Sequence, residues 1–241
     1  MRSVVTGGTG AVGKAIIAAM KARGDDVVCL DLRRPEQTDV KYIKVDISDR
    51  ASVNAAFEQA AQTLGGIDAL VHSAGIITTA QFCNLDEADF RRVVDVNLLG
   101  TFRVAQESCR YMTEHGGRIV FVTSIHGQIG VPGRSAYAAA KGGIASLARV
   151  MAAELAERRI RVNVLAPGAV DGGMLVDPRS REGWVKATPS RRVACLEEIA
   201  GVAAMLTSEN ASFITGQIVA VDGGVSTIRA FSHESKEKQK L

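Results

Sequence analysis

Short apolar runs alternate along the chain with longer stretches of helical character. Residues 3–6, 27–30, 42–45, 68–72, 118–123, 160–165 and 217–221 are too short for helices. They are rich in Val, Ile and Leu and bounded by Gly, Asp, Asn or Pro, so they read as buried strands. Residues 15–21, 50–64, 86–114, about 137–158 and 197–207 read as helices. Gly24 ends the first of these, and Ser48 or Asp49 caps the second. Such alternation predicts an α/β fold: a doubly wound, parallel, seven-stranded sheet with helices on both faces and right-handed crossovers. Residues 171–195 break the pattern as a polar, irregular insertion holding Met174, Trp184 and several arginines. We find no repeat or linker, so one domain is expected over 1–231, followed by a polar tail at 232–241.

The stretch from Ser124 to Lys141, SIHGQIGVPGRSAYAAAK, carries candidate chemistry. Tyr137 and Lys141 stand four apart in an Ala-rich run, so they share one helix face. Ser124 follows the apolar run 119–122, and the glycines and proline between them can fold a strand end beside a helix start. A free tyrosine titrates near pH ~10, and a neighbouring ammonium favours its phenolate. The Tyr137 pKa is therefore expected to fall toward neutrality, where a general acid or base works best. A Tyr-x-x-x-Lys pair taken alone is most often only a helix face.

Composition narrows the classes. A net charge of +3 over 241 residues argues against nucleic-acid or membrane-surface binding. There is no apolar run of about 18 residues and no signal-peptide pattern. Four widely spaced cysteines, Cys29, Cys83, Cys109 and Cys195, show no metal-ligand spacing, so no metal site is expected. Reduced thiols and a cytoplasmic location follow.

Gly8-x-Gly10-x-x-Gly13 follows a strand and opens a helix, the setting that a dinucleotide fingerprint requires. Glycines let the backbone approach a pyrophosphate, and the helix N-terminus adds free N–H groups and positive potential. Asp31 ends the second strand, placed to accept both hydroxyls of an adenosine ribose. A carboxylate there repels a 2′-phosphate, so NAD is expected over NADP. Arg33 and Arg34 would offset that repulsion by turning inward, or form a solvated turn before Pro35.

Taken together, these residues resemble the short-chain dehydrogenase/reductase family in its compact single-domain branch, from Thr6 to about Ser226. Its fold is of the Rossmann type. Ser124, Tyr137 and Lys141 match the family's catalytic positions, and Asn97 in Val-Asn-Leu-Leu-Gly matches the fourth. The resemblance places Gly7, Gly8, Gly10, Val12, Gly13, Asp31, Asp46, Ile47, Ala74, Gly75, Tyr137, Lys141, Pro167, Gly168 and Val170 at the cofactor. It implies hydride transfer between nicotinamide and a carbonyl or secondary-alcohol carbon. Tyr137 would pass the proton, Ser124 hold the oxygen, and Lys141 bind the nicotinamide ribose and lower the Tyr137 pKa. Asn97 would link Lys141 to solvent, or form a kink that satisfies local backbone groups. Two positions depart from the pattern: Ala11 replaces a usual Gly, and Gly172 replaces a Thr that holds the carboxamide. The second loses a hydrogen bond of about 0.5–1.5 kcal/mol.

His126, Gln128 and Trp184 are candidate substrate contacts, with structural roles as the alternative. Five basic residues of the insertion, Arg179, Arg181, Lys186, Arg191 and Arg192, would favour an anionic small-molecule substrate or form a solvated loop. A close alternative function is 3-oxoacyl-[acyl-carrier-protein] reductase, in which Arg158 and Arg159 would dock the carrier. A non-catalytic nucleotide-sensing protein is a third reading. The resemblance also implies a homotetramer or homodimer through the two long helices, with Ala138, Ala145, Ala148 and Ala152 permitting close packing.

Overall fold

In the computed structural model, which describes residues 1–35, 39–173 and 178–228, every strand pairs with parallel neighbours only. The strands are β1 (Arg2–Thr6), β2 (Asp26–Asp31), β3 (Lys41–Lys44), β4 (Ala69–His72), β5 (Gly117–Val122), β6 (Ile160–Pro167) and β7 (Ile218–Val221). Their spatial order is β3-β2-β1-β4-β5-β6-β7. The apolar runs are continuous because the central strands bury both faces. Val4, Leu70 and Ile119 are in register and face one core layer with Phe57 and Ile144. Their chain neighbours Val5, Val71 and Val120 face the other, with Ile16 and Ile199.

Helices α2 (Arg50–Leu64), α4 (Gly100–Tyr111) and α5 (Ser135–Glu154) cover the first face. Helices α1 (Ala11–Ala22) and α7 (Leu196–Leu206) cover the second. Asp49, not Ser48, caps α2, accepting from the N–H groups of Ala51 and Ser52 at 3.2 and 3.0 Å. Gly24 follows α1 at φ +92°, as its expected role requires. Helix α1 starts four residues earlier than the apolar pattern predicts, because its first turn is built of the glycine motif itself.

The long helical region is not one regular rod. Helix α3 (Glu87–Val94) passes into α4 through a π-helical turn, Asp95–Leu99, centred on Asn97. The insertion also differs from expectation, since it contains a helix, α6 (Pro178–Ala187). Pro178 at its first position and the Glu182–Lys186 pair, 2.6 Å apart, were the available signals. Met174 and the 232–241 tail lie outside the described residues.

The expected alanine contact face on α5 is corrected here. Ala145, Ala148 and Ala152 are buried, the latter two packing into the core beneath the helix. The exposed apolar side chains of these helices are Leu99, Phe102 and Val150. Among the described residues no helix is long and apolar enough to cross a membrane.

Candidate active site

In an open parallel sheet, ligands bind beyond the strand C-termini where the order reverses, here between β1 and β4. The Gly7–Gly13 loop leaves β1 and Ser73-Ala74-Gly75 leaves β4, and the two loops touch. A Cβ on Gly7, which sits at φ +70°, would lie 2.5 Å from the Ala74 nitrogen. A Cβ on Gly13 would lie 2.1 Å from the Gly7 carbonyl oxygen. Gly10 is different. Its Cβ would meet only the Gly7 carbonyl oxygen, at 3.4 Å, so the fold itself leaves room there. No acceptor among the described residues takes the N–H groups of Ala11, Val12 and Gly13 at the start of α1. Open space above a glycine, with free amides at a helix N-terminus, fits the pyrophosphate of a dinucleotide.

A cleft of about 860 Å³ runs from this loop past β5 to α6. At its nucleotide end the Asp31 carboxylate accepts from the Thr9 N–H at 3.0 Å and the Arg33 N–H at 3.1 Å. Arg33 lines the cleft beside it, whereas Arg34 does not. Asp46 and Ile47 form the next wall. Ser48 donates to the Asp46 carboxylate from its backbone and hydroxyl, at 2.9 and 2.6 Å, and so holds that carboxyl below its usual pKa. Pro167, Gly168 and Val170, at and beyond the end of β6, line the far side. Gly172 also lines the cleft at φ +75°, a conformation in which the usual threonine would be strained.

The reacting end gathers residues from three elements. Ser124 opens the loop after β5, Tyr137 and Lys141 come from the first turns of α5, and Asn97 comes from the π-helical turn. Ser124, Tyr137 and Lys141 line the cleft, and the Lys141 ammonium lies 5.4 Å from the centre of the Tyr137 ring. Lys141 is 4% exposed and donates to the Val122 carbonyl at 3.1 Å. Gly75 leaves space for it: a Cβ there would lie 2.8 Å from Asn97 Oδ1 and 3.5 Å from Lys141 Nζ. Asn97 itself is fully buried. Its amide oxygen accepts from the Ile76 N–H and its amide nitrogen donates to the Ile76 carbonyl, both at 2.8 Å. The side chain thus clamps the β4 loop, and the kink reading of Asn97 is correct.

The expected fall in the Tyr137 pKa does not occur in this arrangement. Burial pushes the phenol up to about 12, while the Ser124 hydroxyl and the Arg134 charge pull the other way. Burial lowers Lys141 to about 8, so the ammonium is itself destabilised by the site that holds it.

His126 sits between two rings, 5.9 Å from Tyr137 and 5.7 Å from Trp184. Gln128 is corrected: a short 3-10 turn, Ile125–Gly127, carries His126 to the cleft and leaves Gln128 exposed and off its wall. The basic lid is corrected as well. Arg181 pairs with Asp171, Lys186 with Glu182 and Arg192 with Glu198, while Arg191 donates to the Lys186 carbonyl. None of these lines the cleft. Besides Arg33 and Lys141, the cleft wall carries Arg92 and Arg134, which the sequence reading missed. The signal for Arg134 was its place one helical turn before Tyr137.

A glycine-lined nucleotide cleft that ends on a buried tyrosine and lysine defines a nicotinamide-dependent oxidoreductase. A family model described as enoyl-(acyl carrier protein) reductase matches residues 8–226. The chain belongs to the short-chain dehydrogenase/reductase family, whose enzymes act on CH–OH groups with NAD(P). It is 36% identical over 228 residues to the 3-oxoacyl-[acyl-carrier-protein] reductase MabA of Mycobacterium tuberculosis, covering 93% of this chain and 92% of that protein. It is 34% identical over 238 residues to FabG, a reductase of the same name from Thermotoga maritima, covering 92% and 96%. The ligand-free aldohexose dehydrogenase of Thermoplasma acidophilum superposes with a TM-score of 0.88 at 27% identity, covering 95% and 96%.

Proposed function

We propose that Tyr137 is the general acid and base of hydride transfer to or from a secondary alcohol or its ketone. Its convergence with Ser124 and Lys141 on one cleft wall carries this reading. The nicotinamide ring, when bound, supplies or accepts the hydride. Tyr137 gives its proton to the substrate oxygen during reduction and takes it back during oxidation. Ser124 donates a hydrogen bond to that oxygen, and Lys141 holds the nicotinamide ribose. Asn97 positions the β4 loop through Ile76, and its kink supports a solvent link to Lys141. A phenol held protonated at neutral pH favours ketone reduction over alcohol oxidation there.

Asp31 supports NAD as the preferred cofactor, although Arg33 stands on the same wall. Titration of the protein with NAD⁺ and NADP⁺, followed by nucleotide-induced shifts in melting temperature, tests this. The expected result is tighter binding of NAD⁺, with Asp31→Asn weakening it by about 10- to 100-fold, as for a charged hydrogen bond of ~1.5–3 kcal/mol. Tighter binding of NADP⁺ would assign Arg33 to the 2′-phosphate instead.

The names of the relatives favour a second reading, reduction of a 3-oxoacyl group on a carrier protein. Against it, the exposed Arg158 is already engaged with the chain itself, donating to the Cys109 carbonyl at 2.7 Å. A rate independent of carrier protein would sink this version. Leu99, Phe102 and Val150, exposed on the two long helices, support a homo-oligomer, which light scattering would detect.

A further inference from the structure

Arg134 precedes α5 directly, one turn before Tyr137, half-buried on the cleft wall. Its guanidinium donates to the Thr79 hydroxyl, and no carboxylate among the described residues pairs with it. That sets it apart from Arg92, on the same wall, which is paired with Asp89 at 2.8 Å. The Arg134 charge acts on both Tyr137 and His126, lowering the pKa of each.

His126 supplies the second observation. Both of its ring nitrogens are shut off from solvent and neither has a hydrogen-bond partner. Burial and the Arg134 charge hold the ring below its usual pKa, so at neutral pH it offers one donor and one acceptor. A buried polar atom left unpaired is unfavourable, and native structures leave few of them. Here the orphaned ring lies beside the phenol that faces the reacting oxygen. A ligand atom is the natural partner.

We propose that the substrate is a short anionic hydroxy or oxo compound, its carboxylate or phosphate held by Arg134 and His126 while its reacting oxygen faces Tyr137. The inference deepens the oxidoreductase reading and rests on it. Arg134 is the N-cap residue of the helix that carries Tyr137 one turn later, and both line the same cleft, so a short compound spans from one to the other. The specificity therefore lies in the cleft wall and not in the basic lid, where Arg181, Lys186 and Arg192 are paired with carboxylates.

Trp184 provides a direct readout, being the single tryptophan of the chain and in ring contact with His126. The NAD⁺-saturated protein would be titrated with 3-hydroxybutyrate, glycerol 3-phosphate and the neutral 2-butanol, following Trp184 fluorescence and reduced-nicotinamide absorbance. The expected result is binding of one or both anions in preference to 2-butanol. Arg134→Met should weaken that binding by about 10- to 100-fold, raising KM far more than it lowers kcat, with Arg134→Lys recovering part. Melting temperature and NAD⁺ affinity should stay unchanged. The better of the two anions identifies the headgroup. Arg134-dependent binding without hydride transfer would support the anion site and count against Tyr137 as acid and base. Turnover of 2-butanol as efficient as that of the anions, or unchanged anion preference in Arg134→Met, would overturn the anion site and leave the role of Tyr137 standing. Failure of both anions to bind would overturn it too.

Discussion

At the nucleotide end of the cleft, Gly7 and Gly13 have no room for a Cβ, and backbone meets backbone. At the substrate end, Tyr137, Lys141, His126 and Arg134 are long side chains set by burial and charge. One end is fixed by sterics and the other by electrostatics. Changes at the first should therefore appear as lost folding or lost binding. Changes at the second should appear as lost chemistry in a protein of ordinary stability.

Tyr137→Phe sharpens that contrast most. It removes only a hydroxyl and should lower kcat by about 10²- to 10⁴-fold, the range of general acid catalysis, with cofactor affinity and melting temperature nearly unchanged. In the unaltered enzyme, kcat/KM for ketone reduction should hold at neutral pH. It should fall as the solution passes about 8, where Lys141 loses its charge. A Tyr137→Phe enzyme that reduces ketones at the normal rate would break the comparison.

The glycine loop should divide within itself. Gly13→Ala drives a methyl into the Gly7 carbonyl and should destabilise the protein by about 3 kcal/mol, the upper end of ordinary overpacking. Gly10→Ala has space in the fold and should keep the melting temperature while weakening dinucleotide binding. Thermal melts with and without NAD⁺ would check both. Equal melting temperatures for the two variants would show that the steric account of this end is wrong.

His72 blurs the division, because a titratable group sits in the floor of the sterically fixed end. It is fully buried, contacts the Thr6 hydroxyl at 2.6 Å, and burial with the nearby Lys141 charge lowers it to about 3. The folded state holds His72 neutral over a range in which the unfolded chain binds its proton. Stability should thus fall as pH drops below about 6.5, by at most ~1.4 kcal/mol per pH unit, levelling near 3. Urea unfolding of the protein and of His72→Asn at pH 7 and pH 5 would isolate this contribution. Equal pH dependence in both would sink it.

Strand positions and the glycine turn after β1 were legible in the chain because they depend on local rules. Buried parallel strands are continuous apolar runs, and a tight phosphate turn needs glycine at fixed spacing. Features that depend on distant neighbours were not legible. Helical spacing correctly put Tyr137 and Lys141 on one face, but it carried no information on how deeply that face is buried. The direction of the Tyr137 shift follows from burial, so it came out reversed. Likewise Arg181 and Arg192 looked like available cations until Asp171 and Glu198 proved to hold them. Helix α6 escaped because Gly183 and its many charges hide any apolar stripe.

The π-helical turn at Asp95–Leu99 gives the long helix one wide turn that holds a spare residue. Each α-helical residue advances about 100° around the axis. The π turn takes up one residue more than an α turn, so removing one residue there would close it into an ordinary α-helix and leave α4 near its present phase. Val104 and Ala105 would stay in the core, while Asn97 would lose the wide turn from which it grips Ile76. The spare residue between Val93 and Val104 therefore serves the loop that Asn97 holds and not the core beneath α4.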